Sequence, residues 1–293
     1  MTHLQQPIAV IGATGQQGGS VVDALLARKQ AVRALVRDAE AAGARALRAR
    51  GVEVVAADQE NSESLQRALT EVAALFFMTT FEGADGTEGE ARRGVSVADA
   101  AARAGVPHVV YSSVGGAERA TGIPHFESKH RVEQRLSEVV PTKFIRPTFF
   151  MENLAPQLAD GGRGELVLRL PVAGDVPLQM IAVRDIGAAA ARLLIAPDVI
   201  DGDAVELAGD ELTMAQVADR IASELGRPTR YEGLPIDVLR DDEDMRAMFQ
   251  WFTTVPAYQA DFDVTRHLVP DVRDFAAWVS DQGPARAGTD ASN

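Results

Sequence analysis

Gly12-Ala13-Thr14-Gly15-Gln16-Gln17-Gly18-Gly19 stands between an apolar run at residues 8–12 and a stripe of Val21, Val22, Leu25 and Leu26 at helical spacing. A strand that runs straight into a glycine-rich turn and then a helix is the opening of a βαβ unit. Gly12 and Gly15 permit a tight turn and let main-chain N–H groups approach a ligand, while Gly18 lets the helix lie close against the strand. The helix N-terminus carries partial positive charge. The turn therefore reads as a cradle for the pyrophosphate of a dinucleotide, with Gly12, Thr14, Gly15, Gln16, Gln17 and Gly18 as its candidate binding residues. The alternative is a glycine-rich turn without a ligand, which the flanking strand and helix disfavour.

Outward from this turn, further apolar runs at residues 31–36, 52–57, 73–78, 108–112 and 142–146 alternate with helical segments. Six such runs predict an α/β fold, a Rossmann-type doubly wound parallel sheet, over residues 4–152. Beyond Asn153 the rhythm becomes irregular and richer in Gly and Pro. This predicts a smaller C-terminal lobe for substrate or partner over residues 153–282, with residues 180–196 returning to the core. Residues 283–293 lack apolar periodicity and are expected to form a flexible tail.

Composition narrows the function classes. A chain of 293 residues, 46% hydrophobic and 24% charged, can bury a large core. It has no cysteine, so thiolate nucleophiles, thiolate metal ligands and disulfides are excluded and redox chemistry needs a bound carrier. A net charge of −13 is a poor match for phosphate backbones, and no direct nucleic-acid binding is expected. No apolar run approaches the roughly 20 residues of a membrane helix, and no signal peptide precedes the first strand; the expected location is cytoplasmic. Monomer and homodimer are both compatible with the sequence.

Ligands of parallel sheets bind outside the carboxyl ends of the strands, so polar residues there draw attention. At the end of the second strand, Val36-Arg37-Asp38 offers a guanidinium where an NAD site would carry an acid. Arg37 favours the 2'-phosphate of NADP(H) by forked, charge-assisted hydrogen bonds, with NAD(H) the alternative because Asp38 follows. Asp58 and Gln59 end the third strand, near the adenine, and Thr79, Thr80 and Phe81 follow the fourth, near the ribose and nicotinamide. Each has the alternative of a loop cap. Ser113 at the fifth strand, with Pro147, Phe150 and Asn153 after the sixth, completes the cofactor-binding candidates.

Between the fifth and sixth strands runs Pro124-His125-Phe126-Glu127-Ser128-Lys129-His130-Arg131-Val132-Glu133. His125 and Lys129 fall at i and i+4 on one helix face. Only Lys29, Lys129 and Lys143 are lysines, so an ammonium at 129 stands out in an arginine-rich chain. Lys129 is a candidate for ribose binding and proton transfer against the alternative of a solvated helix lysine. His125 is a candidate acid or base against an exposed or capping histidine.

These residues carry a resemblance. The GxxGxxG spacing is that of short-chain dehydrogenases, which place Tyr and Lys where this chain has His125 and Lys129; there the tyrosine exchanges a proton with substrate and the lysine lowers its pKa and holds the ribose. The substitution resembles the NmrA-like family of atypical members, including human redox-sensor-type proteins with a His-Phe-acidic-x-Lys stretch. It is also similar to isoflavone-reductase-like enzymes with Pro-x-Phe-Glu-x-Lys. Phe144-Ile145-Arg146-Pro147-Thr148-Phe149-Phe150-Met151-Glu152-Asn153 resembles the family's sixth-strand segment, and Val183-Arg184-Asp185-Ile186-Gly187 its later helix opening. The resemblance covers about the first 200 residues and is loose in the C-terminal third.

Three functions follow as expectations. One is an NADPH-dependent reductase of a quinone, enone or aromatic substrate, with Lys129 and His125 as catalytic candidates. Another is a non-catalytic NADPH-responsive redox sensor acting on a regulatory protein, and the third, a sugar-nucleotide epimerase, is disfavoured by the missing tyrosine. The remaining histidines show no metal-ligand spacing, and no metal is expected. Asp241-Asp242-Glu243-Asp244 reads as a solvated helix start. Phe249, Trp251, Phe252, Tyr258 and Phe262 read as lobe core, with a pocket lining or partner surface as the alternative.

Overall fold

A computed structural model describes residues 6–287. In β1 (Ile8–Ile11) every side chain is buried, Ile8 and Val10 in one core and Ala9 and Ile11 in the core on the opposite face. A strand covered on both faces has no solvent side to make polar, hence the unbroken apolar runs of the sequence. The chain continues through α1 (Gln16–Ala27), β2 (Val32–Val36), α2 (Ala42–Ala49), β3 (Glu53–Ala56), α3 (Ser62–Ala68) and β4 (Ala74–Met78). Next come α4 (Gly86–Ala104), β5 (Val109–Ser112), α5 (Pro124–Val139) and β6 (Thr142–Pro147). All six expected strands form.

After β6 the chain builds β7 (Phe149–Phe150), β8 (Leu158–Gly162), β9 (Glu165–Leu170) and β10 (Pro177–Ile181), then α6 (Val183–Ile195) and β11 (Ala204–Leu207). It ends with β12 (Asp210–Thr213), α7 (Met214–Leu225), β13 (Thr229–Gly233), α8 (Glu243–Phe252), α9 (Phe262–Leu268) and α10 (Phe275–Ala287).

The main sheet has the order β11-β6-β5-β4-β1-β2-β3, with every pair parallel. Strand order reverses between β1 and β4, which opens a crevice at their carboxyl ends. The seventh strand corrects the expected six: β11 has four residues and follows the polar stretch Asp201-Gly202-Asp203, too short and too isolated to show a period. Ile181 of β10, Ile186 and Leu193 of α6 and Leu207 of β11 pack into the same core as β1.

Helix α6 lies across α1, and the crossing is close. A Cβ on Gly187 would stand 2.2 Å from Ser20 Oγ and 2.5 Å from the Ser20 carbonyl carbon. At the start of α6, both Glu152 carboxylate oxygens accept the Val183 N–H at 3.1 Å, and Trp278 Nε1 of α10 donates to the same group at 3.0 Å. Burial holds the Glu152 carboxyl above its usual range. Its position at a helix N-terminus, where main-chain N–H groups lack partners, gives that acid a role in tying three segments together.

Two three-stranded sheets, β12-β10-β7 and β13-β9-β8, frame the lobe. Its core gathers Phe249, Phe252 and Tyr258, with Trp251 packed against them, and includes Ile123 and Phe126 at the start of α5. Phe262 lies apart, under the Arg266 guanidinium at 5.8 Å. The lobe thus shares a core with the helix that carries His125 and Lys129. Helix α10 extends to Ala287, past the boundary expected at 282; residues 288–293, the rest of the expected tail, lie outside the described residues. Among the described residues no helix is long and apolar enough to cross a membrane.

Gly187→Ala is expected to lower unfolding free energy by about 1–3 kcal/mol, the usual range for overpacking a tight contact. Urea denaturation with an unchanged slope and a lower midpoint checks it; an unchanged midpoint contradicts the close crossing.

Candidate functional site

The turn after β1 has the geometry its glycines suggest. Gly12 adopts φ +79°, and a Cβ on Gly18 would stand 2.2 Å from the Gly12 carbonyl oxygen. Only a bare α-carbon lets α1 start this close to the strand. Gly15 precedes α1 with extended backbone and no side-chain cap, so the first-turn N–H groups are left for a ligand. A cleft of about 510 Å³ lies over this point, lined by Gly12, Thr14, Gly15, Gln16, Gln17, Gly18, Arg37, Gln59, Phe150 and Asn153. Ile11, Leu35, Ala57 and Leu65 give it apolar walls. A phosphate-accepting helix end beside an apolar slot suits a dinucleotide.

Arg37 is exposed and makes no ion pair or hydrogen bond with another side chain among the described residues. Asp38 is engaged locally, its Oδ1 accepting the Glu40 N–H at 2.8 Å. The two residues at this strand end are thereby separated into a free cation and a turn-closing acid. Asp58 departs from expectation. It does not line the cleft; its carboxylate accepts the Glu60 N–H at 3.0 Å and its own N–H donates to Ser64 Oγ at 3.1 Å. An aspartate after a strand readily closes its own turn, and here that use wins.

A second cavity of about 670 Å³ adjoins the cleft, and Gln17, Met78, Glu82, Phe150 and Asn153 line both. It gathers the expected Thr79, Thr80, Phe81, Ser113, His125, Lys129 and Pro147. The lobe supplies Leu170, Leu234, Met248, Phe249 and Tyr258, so the chamber is largely apolar and aromatic. Ser113 Oγ is fully occluded without a hydrogen-bond partner among the described residues. Such an orphan at the chamber's edge fits a bound group that would complete it. Nearby, Ser112 Oγ donates to Gln17 Oε1 at 2.7 Å and ties β5 to the glycine turn.

Lys129 is buried, not solvated. Its Nζ donates to Thr79 O at 2.9 Å and to Glu90 Oε1 at 2.8 Å. Glu90 is fully buried in α4 and also accepts from Thr79 Oγ1 at 2.9 Å and from Ser128 Oγ. The Tyr111 hydroxyl pairs with Thr79 Oγ1 at 2.8 Å and extends the network. A buried carboxylate needs such compensation, and the ammonium supplies the charge. Its Nζ also lies 3.4 Å from Thr79 Oγ1, so all three ammonium protons have partners in this network at the chamber wall.

His125 occupies the second position of α5, whose first residue is Pro124. Its N–H donates to Asp244 Oδ1 at 2.8 Å, and its Nδ1 lies 2.6 Å from Asp244 Oδ2. This corrects the reading of the acidic run: Asp242 caps α8 through the Met245 N–H at 3.0 Å, while Asp244 turns inward to another helix. Phe81 lies beside the imidazole, centroids 5.0 Å apart, and Phe126 meets it edge-on at 4.7 Å. Neither nearby tyrosine stands in for the missing phenol as an acid poised near neutrality. Burial pushes the hydroxyls of both Tyr111 and Tyr258 upward, and Tyr111 does not line the chamber.

Sequence reading missed Glu90, the inward turn of Asp244, Met78, Glu82 and the lobe residues Leu170, Leu234 and Met248, whereas Phe249 and Tyr258 had pocket lining as their alternative. Glu90 sits in Glu88-Gly89-Glu90, which looks solvated. The available signal is Gly94, one turn on, where a Cβ would meet Val132 at 2.3 Å and mark α4 as pressed against α5.

A model of the NmrA-like family matches residues 5–279. The match runs well past residue 200 and takes in the lobe that resembled the family only loosely. The NAD(P)H azoreductase of Xenophilus azovorans is 32% identical over 233 residues, 78% of each chain. An NADPH-dependent quinone oxidoreductase of Escherichia coli, solved with NADPH, is 27% identical, with a TM-score of 0.78 over 94% of this chain and 99% of that one. NmrA, a negative transcriptional regulator solved with NADP, shares the fold at a TM-score of 0.83 and 22% identity over 98% of both chains.

Lys129→Met is expected to cost about 3–5 kcal/mol, because it strands Glu90 as an uncompensated buried charge. The double variant Lys129→Met, Glu90→Gln is expected to recover most of that loss. Chemical denaturation of the three proteins checks the coupling, and equal losses for single and double variants contradict it.

Proposed function

Because the chain belongs to the NmrA-like family, we propose that it is an NADP(H)-dependent reductase whose substrates are conjugated acceptors such as quinones, enones or related aromatic compounds. The observation that carries this reading is the continuity of the two cavities. A dinucleotide seated with its pyrophosphate on α1 extends past Gln17 and Phe150, and the larger chamber begins where those residues end. A bound, reduced nicotinamide supplies hydride there. The aromatic walls suit a flat, apolar acceptor, and lobe residues exclude water from it.

Arg37 is assigned to the 2'-phosphate, since its guanidinium is free and reaches the cleft while Asp38 is spent on its turn. NAD(H) is the second-choice cofactor. Gly12, Thr14, Gly15, Gln16, Gln17 and Gly18 hold the pyrophosphate; Thr79, Thr80, Ser113 and Lys129 border the ribose and nicotinamide. Among the polar groups that line the chamber, Lys129 and His125 are the two assigned to the substrate. The azoreductase and quinone oxidoreductase similarities support reduction of conjugated acceptors.

A cofactor-responsive regulator is the second reading. It is favoured by one observation, that Lys129 is committed to Glu90 and Thr79 and not held free for catalysis.

NADPH oxidation against a panel of quinones, enones and azo compounds is expected to show turnover, and reduced product should form in step with NADPH loss. No turnover, with NADPH altering protease sensitivity, favours the regulator. Arg37→Ala is expected to weaken NADPH binding by about 10–100-fold, the loss of charge-assisted hydrogen bonds, and to leave NADH binding near its wild-type value. Titration of the intact protein with each cofactor measures this. Unchanged NADPH affinity refutes the role of Arg37.

A further inference from the structure

The Asp244 carboxylate grips His125 at two points. One oxygen accepts the His125 main-chain N–H at 2.8 Å, and the other lies 2.6 Å from Nδ1. The N–H belongs to the first turn of α5, where main-chain donors lack helical partners and negative charge is favoured. Asp244 therefore satisfies a helix end and a ring nitrogen together. It comes from the lobe helix α8, 119 residues away in sequence. Side chains of both partners are mostly shielded, with 9% of His125 and 15% of Asp244 exposed.

The ring has little freedom left. Phe81 covers one side, Phe126 presses edge-on, and Trp251 backs Phe126 with centroids 5.3 Å apart. With Nδ1 taken, Nε2 is the nitrogen available to a ligand. The ring's hydrogen bond among the described residues is made at Nδ1, and His125 lines the chamber.

We propose that Asp244 is a positioning residue: it accepts the Nδ1–H of His125 and so holds the doubly protonated ring with its Nε2–H toward the substrate, which takes its proton from that atom. The proposal rests on the reductase reading and narrows it to acceptors whose reduction leaves charge on an oxygen near His125. An electrophilic carbon that receives hydride loses its π bond, and the electron pair moves along the conjugated system onto the oxygen. That oxygen takes the Nε2 proton. The acceptor gains two electrons with the hydride that a bound, reduced nicotinamide would supply; His125 is left neutral with Nδ1–H still donated to Asp244, and a proton taken up from solvent restores Nε2–H after product leaves. Hydride then arrives over the Rossmann half, and the orientation of the proton donor is set by the lobe.

The test compares the full-length wild type with Asp244→Asn, Asp244→Ala and His125→Asn, using NADPH and a benzoquinone or cyclic enone. The asparagine variant is expected to lose about 10²-fold in kcat, within the usual worth of a positioned acid, while KM and NADPH affinity stay near wild type. His125→Asn should lose as much, and combining it with Asp244→Asn should add little. At a pH where the ring is neutral, nitrogen NMR of the histidines, with His125→Asn identifying the signal, should show the remaining proton on Nδ1 in the wild type and a shift toward Nε2–H in Asp244→Asn. Retained NADPH affinity shows that a variant is folded; if alanine fails that check, the near-isosteric asparagine carries the comparison. A kcat near wild type in Asp244→Asn, or an unchanged tautomer, overturns the proposal. A wild type that reduces no acceptor overturns the reductase reading and the proton transfer built on it, whereas the tautomer measurement still decides whether Asp244 holds the ring.

Discussion

The contact on which the structure depends is the approach of Gly18 to the Gly12 carbonyl. At Gly18 there is no room for a β-carbon, and its absence lets a helix begin directly above the end of a central strand. From this follow the direction of α1, the exposure of its first N–H groups and the location of the crevice where strand order reverses. Gly187 repeats the device on the outer side, bringing α6 onto α1 through Ser20. Two glycines at helix crossings set the geometry of the cofactor half, and the apolar strands fill in around them.

Charge inside the molecule is handled by pairing. Glu90 would be very costly in the core without Lys129; the hydroxyls of Thr79 and Ser128 also donate to it, and Tyr111 pairs with Thr79 behind them. The same logic gives Asp244 its partner in His125 and Glu152 its donors at α6. In each instance an acid from one element meets a donor from a distant one, so electrostatic satisfaction also fixes how the elements sit together.

The fold was legible because its signals are local. A strand, a glycine turn and an apolar helical stripe lie within the first 27 residues. Candidates at strand ends were largely recoverable too, since topology alone brings Thr79, Ser113 and Asn153 to the same edge. Asp58 shows the limit of that rule: whether a strand-end acid faces a ligand or closes its turn depends on the next few backbone angles, not on its place in the order. Glu90 and Asp244 lay beyond reach for a different reason. Each has the surroundings in sequence of a solvated helix acid, and each acquires its meaning from a residue 39 or 119 positions away.

The lobe is not one segment hung from the end of the sheet. The chain leaves after β6, returns to build α6 and β11, departs again through α8, and sends Leu268 of α9 back to the main core before α10 rejoins the lobe through Phe275. No single pair of cuts removes the lobe and leaves the sheet complete. Recombination in nature or in the laboratory cannot exchange it as a cassette, and a chamber of different shape must be reached residue by residue, along paths on which the nucleotide half stays intact.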